Sequence, residues 1–547
     1  MAEKTALDGA LPLPSQTSVK PTQRSFISTL FNRLIMLGAF VYFTMGLFGK
    51  VDFFTEPTLS ASESQWAKCP VQPRPLHPKL SWNMTVDEKT RSIDLFSQSV
   101  QIPTESFDDN GEPGDDPRWD TFIDFQGWLK RTFPLAWVIF WMSHYDVVPA
   151  PSSTFDRWTH PPFSGFNDGT YIWGRGAADD KTLLVAQWEA ITHLLEAGFS
   201  PRRTLIFSHG FDEEEVFARR GQGQIAPFLE KRYGKDSLLM VIDEGSGSDD
   251  DFYGASFAVP GMGEKGYMDM TITVGTAGGH SSVPPAHSGI GIMSRVVSAL
   301  EDHPFEPKLT PGSPLLTSLM CASKYSPSFP KSYSKLLSGG PRSWNRLAKI
   351  IGRRSRYDLA TLGTTIAVDV IQGGVKINAL PEVVTASVNF RIDYSESVQS
   401  TQTHVENLVS KIAKKFDLGF SGFGQDDKAH KSGKYISLEL MGLPLEPAPR
   451  TPMDGGVWEL FAGTVKAAIP GPEGQERIVT PFASTGNTDC KMYYGLTKNV
   501  YRFMGATANS GFFAHTVDER ATIEAHLAIV QWVHAIIQNA DEYTGEE

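Results

Sequence analysis

Four short segments concentrate side chains that hold protons and metals. Ser143-His144-Tyr145-Asp146 combines an imidazole with a carboxylate two residues on. Gly174-Arg175-Gly176-Ala177-Ala178-Asp179-Asp180-Lys181 sets adjacent carboxylates behind a glycine-containing turn. Phe211-Asp212-Glu213-Glu214-Glu215 is acidic after its first residue, and Asp243-Glu244-Gly245 adds an acidic pair. Each lies where a strand would end, and in an open α/β sheet those carboxyl ends converge on one crevice. Carboxylates gathered there repel one another, and one or two divalent cations relieve the repulsion. Imidazole and carboxylate without thiolate suit zinc. A two-metal site needs ions about 3.5–4 Å apart, a bridging carboxylate and a bridging water. His144 fits as a ligand. Asp146 lies on the same side of an extended segment and can hold the imidazole's other nitrogen.

The elements that would position these residues alternate. Leu135 to Ser143, Thr204 to Ser208 and Leu238 to Ile242 read as buried strands. Thr182 to Ala197 has helical spacing, and Ile225 to Tyr233 belongs to another helix. Strand–helix alternation predicts an α/β domain with a mainly parallel sheet. Met268 to Val274 and Val383 to Ile392 alternate as half-buried strands do, with a helix near Gly289–Glu301 between them. This block predicts a smaller α+β domain interrupting the first, with Pro304–Tyr357 as a long loop or excursion. The chain then returns to α/β character and closes with a helix over about Ile523–Asn539. The expected organisation begins with a tail over 1–33, an anchor over 34–49 and a stalk over 50–115. The α/β domain then occupies 116–262 and 396–547, with the inserted unit over 263–395 between its two stretches.

With 62 acidic and 50 basic residues among 547, the formal charge is −12, so no general basic excess is available to neutralise nucleic-acid phosphates. Three cysteines, Cys69, Cys321 and Cys490, allow at most one intrachain disulfide and no Cys-rich zinc module. Leu34 to Gly49 carries no charge and is bounded by Arg33 and Lys50. It is slightly short of a ~30 Å hydrocarbon core, and snorkelling of its basic flanks makes up length. A long polar tail before it and no small-x-small site after it predict an uncleaved signal-anchor. Lys20, Arg24 and Arg33 ahead of the run place the N-terminus in the cytosol and the large C-terminal region in the lumen or outside. Asn83-Met84-Thr85 is a glycosylation sequon on that side.

His144-x-Asp146-Val147-Val148-Pro149, Gly174-Arg175-Gly176-Ala177-x-Asp179, Asp212-Glu213-Glu214 and Asp243-Glu244-Gly245 resemble, in order, the motifs of the M20 family of zinc peptidases. Gly278-Gly279-His280-Ser281-Ser282-x-Pro284, Gly373 to Pro381 and Ala514 to Glu519 extend the resemblance over about residues 120–535. Trp158-x-x-Pro161-Pro162-Phe163-Ser164-Gly165 and Gly486-Asn487-Thr488-Asp489 resemble the carboxypeptidase S branch, membrane-anchored Gly-Xaa carboxypeptidases of the fungal vacuole.

The resemblance implies two zinc ions per subunit, held by His144, Asp179 as the bridge, Glu214, Glu244 and His515. Asp146 would support His144, and Glu213 would be the general base. His280 would stabilise the oxyanion, reaching a neighbouring subunit's site in a homodimer. Asn378 and Arg391 would contact substrate, with Arg391 a fork for its free carboxylate. Two assignments stay open. One extra residue before Gly221 leaves Glu214 and Glu215 as alternatives to Glu213 and Glu214, and Asp243 is the alternative to Glu244. Cys490 reads as a small packed residue and Asp249-Asp250-Asp251 as a solvated loop. The implied activity is removal of the C-terminal residue from short peptides. N-acyl amino acids are the alternative substrates for the same site. A binding protein that kept the fold and lost activity would be expected to lack a ligand, and every expected ligand type is present.

Overall fold

The computed structural model describes residues 68–135, 140–215, 219–425, 433–507 and 510–545. The expected tail and anchor lie outside the described residues. Among the described residues no helix is long and apolar enough to cross a membrane.

Thr85 caps the first described helix, α1 (Val86–Val100). Its hydroxyl accepts the Glu88 N–H while Glu88 accepts the Thr85 N–H, a reciprocal cap that fixes the helix start. Leu95, Phe96 and Val100 are buried, and the Ser92 hydroxyl lies 3.1 Å from Nε2 of buried His526. Ahead of it, Gln72 exchanges two hydrogen bonds with the Val479 backbone, and a disulfide joins Cys69 to Cys321. The stalk expected over 50–115 is therefore corrected from residue 68 onward: this segment is packed into the body. Its Pro, Ser and acidic composition marks an exposed side, while the apolar face of α1 needs cover.

Following the chain, α2 (Asp120–Thr132) buries Phe122, Phe125 and Trp128. Then come β1 (Phe140–His144), β2 (Tyr171–Trp173), α3 (Lys181–Glu196), β3 (Ile206–Gly210), α4 (Gln222–Tyr233), β4 (Val241–Ser246) and β5 (Gly261–Glu264). Strands β1 and β3 pair in parallel. Helix α3 is buried almost all round, as a helix inside a layered core must be. Strand β4 runs two residues beyond Asp243-Glu244, so that pair sits within the strand and not after it as expected. A parallel partner strand near the chain's end, introduced below, keeps pairing across this stretch.

The next stretch builds a second sheet. Its elements are β6 (Gly266–Gly275), β7 (Gly279–His280), α5 (Gly289–Asp302), α6 (Pro314–Tyr325), α7 (Lys331–Leu337), α8 (Pro341–Ile351), β8 (Thr365–Gly373), β9 (Ala379–Leu380), β10 (Val383–Ile392), α9 (Val398–Lys415), β11 (Gly419–Ser421) and β12 (Tyr435–Leu440). The sheet order is β8-β10-β6-β12-β11. Alternate residues of β6 and β10 (Met268, Met270, Ile272; Val384, Ala386, Val388) turn inward onto α5 and α9. Two expectations change here. The inserted unit's core does not end at 395, because α9 supplies Val405 and Val409 to it and β12 supplies Ile436 and Leu438. The long loop expected over Pro304–Tyr357 contains α6, α7 and α8. Pro314 and Pro341 open α6 and α8 at first-turn positions, where proline fits a helix start.

The chain returns with α10 (Gly455–Ala468), β13 (Phe482–Ser484), β14 (Val500–Phe503), β15 (Arg520–Thr522) and α11 (Ile523–Glu542). Strand β14 pairs in parallel with β4, and β15 pairs antiparallel with β2. One apolar core joins α2, α3, α10 and α11 around Phe125, Leu184, Phe461 and Trp532. Residues far apart in sequence therefore share one layer, and the β2–β15 pairing sets the loop after residue 173 beside the loop before residue 520.

Candidate active site

His144 ends β1 and is buried. Its Nδ1 lies 3.0 Å from the Asp146 carbonyl, an acceptor, so Nδ1 carries the proton. Nε2 faces Asp179 Oδ1 at 3.0 Å and Glu244 Oε1 at 3.7 Å, and despite burial these carboxylates hold the imidazole's proton affinity well above its ordinary value. Asp179 follows a turn in which Gly174 and Gly176 have φ of 148° and 84°, values that favour glycine. The other Asp179 oxygen, Oδ2, lies 3.1 Å from Nε2 of His515, and that nitrogen is also 3.1 Å from Glu214 Oε1. One Nε2 proton cannot serve both carboxylates, and Glu214 Oε1 accepts no hydrogen bond although buried. Donor atoms of His144, Glu213 and Glu244 lie within 4.8 Å of one another, as do those of His144, Asp179 and Glu214. Imidazole nitrogens and several carboxylate oxygens crowded together, with too few protons to pair them all, fit divalent cations.

The electrostatics agree. Burial lifts the Glu213 carboxyl well above the usual range, helped by the charges of Asp489 and Glu214 and opposed by His144. Burial does the same to Glu244, where Asp179 adds repulsion. Two imidazoles hold Asp179 below the ordinary carboxylate range despite its burial. Hydrogen bonding to Asp179 and the nearby Glu214 carboxylate raise His515 to about 10. A bound cation would substitute for those protons.

The Asp146 carboxylate does something its spacing did not suggest. It accepts the backbone N–H of Glu213 (3.1 Å), the backbone N–H of Glu214 (3.0 Å) and the Ser106 hydroxyl (2.8 Å). Its nearer oxygen is 3.4 Å from His144 Nδ1, so the carbonyl, not the carboxylate, is the closer partner of the ring. Asp146 thus ties the loop after β3 to the end of β1.

Both open alternatives separate in space. Glu215 leaves the cluster and pairs with Arg220 at 2.6 Å, while burial lifts its carboxyl to about 7. Asp243 receives the Cys490 thiol at 3.3 Å, and Glu244 is the residue in a candidate metal group. Cys490 is buried and belongs to neither group. Within the acidic triplet, Asp249 and Asp251 are exposed and Asp250 pairs with Arg477 at 2.8 Å.

Not every expected residue joins the cluster. His280 is exposed on the β7–β9 ribbon, where the Ser282 N–H donates to its Nδ1 at 3.1 Å. Asn378 is exposed, and its carbonyl accepts the Ser281 N–H. Arg391, on β10, donates from Nη1 to Asn487 Oδ1 at 3.1 Å. Asp489 was not expected. Both its oxygens are buried without a hydrogen bond, and its charge bears on Glu213. Its segment, Gly486 to Asp489, stood out in the sequence only as a branch resemblance.

Residues 140–539 match the family model Peptidase family M20/M25/M40, and the chain belongs to this family of metallopeptidases. Within it the chain is similar to carboxypeptidase S of Saccharomyces cerevisiae, with 34% identity over 98% of this chain and 100% of the yeast one. Human N-fatty-acyl-amino acid synthase/hydrolase PM20D1 is 31% identical over 73% of each chain. The M20 family metallo-carboxypeptidase Sso-CP2 from Sulfolobus solfataricus shares the fold, with a TM-score of 0.54 at 17% identity over 83% of this chain and 99% of that one.

Proposed function

We propose that the protein is a two-zinc carboxypeptidase that hydrolyses the C-terminal peptide bond of short peptides of Gly-Xaa type. The observation that carries this reading is Asp179, shared between His144 and His515 with Glu213 beside them. One zinc would be held by His144, Asp179 and Glu244, the other by Asp179, Glu214 and His515. When bound, the zinc pair polarises the scissile carbonyl and acidifies the attacking water. Glu213 accepts the proton of that water and passes it to the leaving amine. Its raised carboxyl suits both halves of that transfer. Arg391, steadied by Asn487, takes the substrate's free carboxylate, with Asn378 a second contact. His280 stands outside the cluster, which supports its stabilising the oxyanion in the site of a second copy across a homodimer.

The same proposal places the body in the lumen of the vacuole behind the signal-anchor at 34–49, with Asn83 glycosylated. A Cys69–Cys321 disulfide supports an oxidising compartment, and Asn83 is exposed. The similarity to the human N-fatty-acyl-amino acid enzyme supports a second reading, hydrolysis of N-acyl amino acids. Side-by-side turnover of Gly-Leu and N-acyl amino acids by the zinc-loaded protein separates the two. Faster cleavage of the dipeptide is expected. Preference for the acyl substrate selects the second reading, and turnover of neither defeats both.

A further inference from the structure

We propose that Glu519 is a positioning residue that joins Asp179 and His515 into one rigid unit. The β2–β15 pairing sets Arg520 opposite Trp173, which brings Glu519 against the turn that precedes Asp179. Glu519 Oε1 accepts the backbone N–H groups of Gly176 (3.0 Å), Ala178 (3.0 Å) and Asp179 itself (3.2 Å). Oε2 accepts from Arg175 Nη1 at 2.5 Å, and the Glu519 carbonyl accepts the Gly174 N–H at 2.8 Å. Both partners of the ion pair are buried. Both Glu519 oxygens are taken up by these N–H groups and by Arg175, so its carboxylate acts on the loop and not on a cation.

The loop on its other side needs such an anchor. Phe513, His515 and Asp518 have φ of 62°, 63° and 65°, conformations that non-glycine residues keep only when their surroundings enforce them. Asp518 accepts the Thr159 N–H at 2.6 Å, and the Arg520 guanidinium lies over the rings of Trp173 and Phe513. Between these anchors Glu519 is the residue whose side chain reaches the Asp179 turn. A small misplacement of a catalytic constellation costs orders of magnitude in rate. The device parallels Asp146, another buried carboxylate that collects the N–H groups of a loop in the cluster.

This inference rests on the two-zinc reading, and the test keeps the two apart. Glu519→Gln keeps the side-chain shape but sets an amide N–H₂ against Arg175 or against the loop N–H groups. Zinc affinity is measured by competition with a chromophoric chelator for wild type, Glu519→Gln and Cys321→Ser, a destabilised control outside the cluster. Thermal melting runs in parallel. The expected result is zinc bound at least about tenfold more weakly by Glu519→Gln, near-wild-type affinity in the control, and partial return of kcat when zinc is in excess. Glu519→Gln binding zinc within about twofold of wild type, whatever its melting temperature, overturns the proposal. Should that variant not fold, Arg175→Lys carries the same comparison, with at least about threefold weaker binding expected and unchanged affinity again the refutation. Failure of wild type itself to bind zinc would instead refute the two-zinc reading.

Discussion

Asp146→Asn tests how the acidic loop is held. In the native site one carboxylate satisfies two backbone N–H groups and a hydroxyl. An amide keeps one acceptor oxygen. If its nitrogen replaces Oδ2, Ser106 can rotate to accept, but the Glu214 N–H loses its partner. If it replaces Oδ1, the Glu213 N–H loses its partner. Either way one buried N–H faces a donor, and a hydrogen bond to a charged group contributes about 1.5–3 kcal/mol. Expressed as misplacement of Glu213 and Glu214, that is roughly a 10- to 150-fold fall in kcat/KM. His144 keeps its bond to the residue 146 carbonyl, so its orientation should survive. The assay is steady-state hydrolysis of Gly-Leu at saturating zinc, with bound metal measured on the same preparations. Activity within about threefold of wild type would refute the claim that Asp146 orders this loop.

Glu213→Gln should lower kcat by about 10²–10⁴-fold while zinc content and KM stay near wild type, because it removes a proton acceptor and no ligand. Loss of a metal in that variant would reassign Glu213 as a ligand. Glu215→Gln should change kcat/KM by less than about threefold, because Glu215 pairs with Arg220 outside the cluster; a loss as large as that of Glu213→Gln would reverse the assignment. His534 is held neutral by burial, its pKa lowered from 6.5 to about 4, with His193 beside it. A depressed histidine contributes stability that is fully present above pH 6.5 and is lost as pH falls towards 4, up to about 3 kcal/mol. Melting curves of wild type and His534→Gln across that range should show a shallower acid slope in the variant, and equal slopes would remove His534 from the acid response.

Much of the cluster is legible in the sequence because imidazole and carboxylate side chains announce themselves by type. His144, Asp179 and Glu214 stand at or beyond strand ends, where their side chains can converge. Strand β10 is legible to its last residue, since alternation survives when one face is buried. The misread elements have physical causes. In α8 the buried Trp344, Leu347, Ala348 and Ile351 follow helical spacing, but basic and polar residues on the other face disguise it. The packing of α1 and the extension of the inserted core through β12 depend on tertiary partners hundreds of residues away or across a sheet. Glu519 and the loop-holding role of Asp146 leave little trace, because a carboxylate that accepts backbone N–H groups needs no particular residue types opposite it. His280 is recognisable by motif, yet within one chain it stands apart from the cluster.

The central claim is that Asp179 is shared by two cations. Bound zinc per chain, measured by atomic emission after removal of loosely held metal, tests it directly in wild type and Asp179→Ala. The account predicts about two zinc ions per wild-type chain and the loss of at least one in the variant. Less than about one tightly bound zinc in wild type, or an unchanged content in Asp179→Ala, would contradict it.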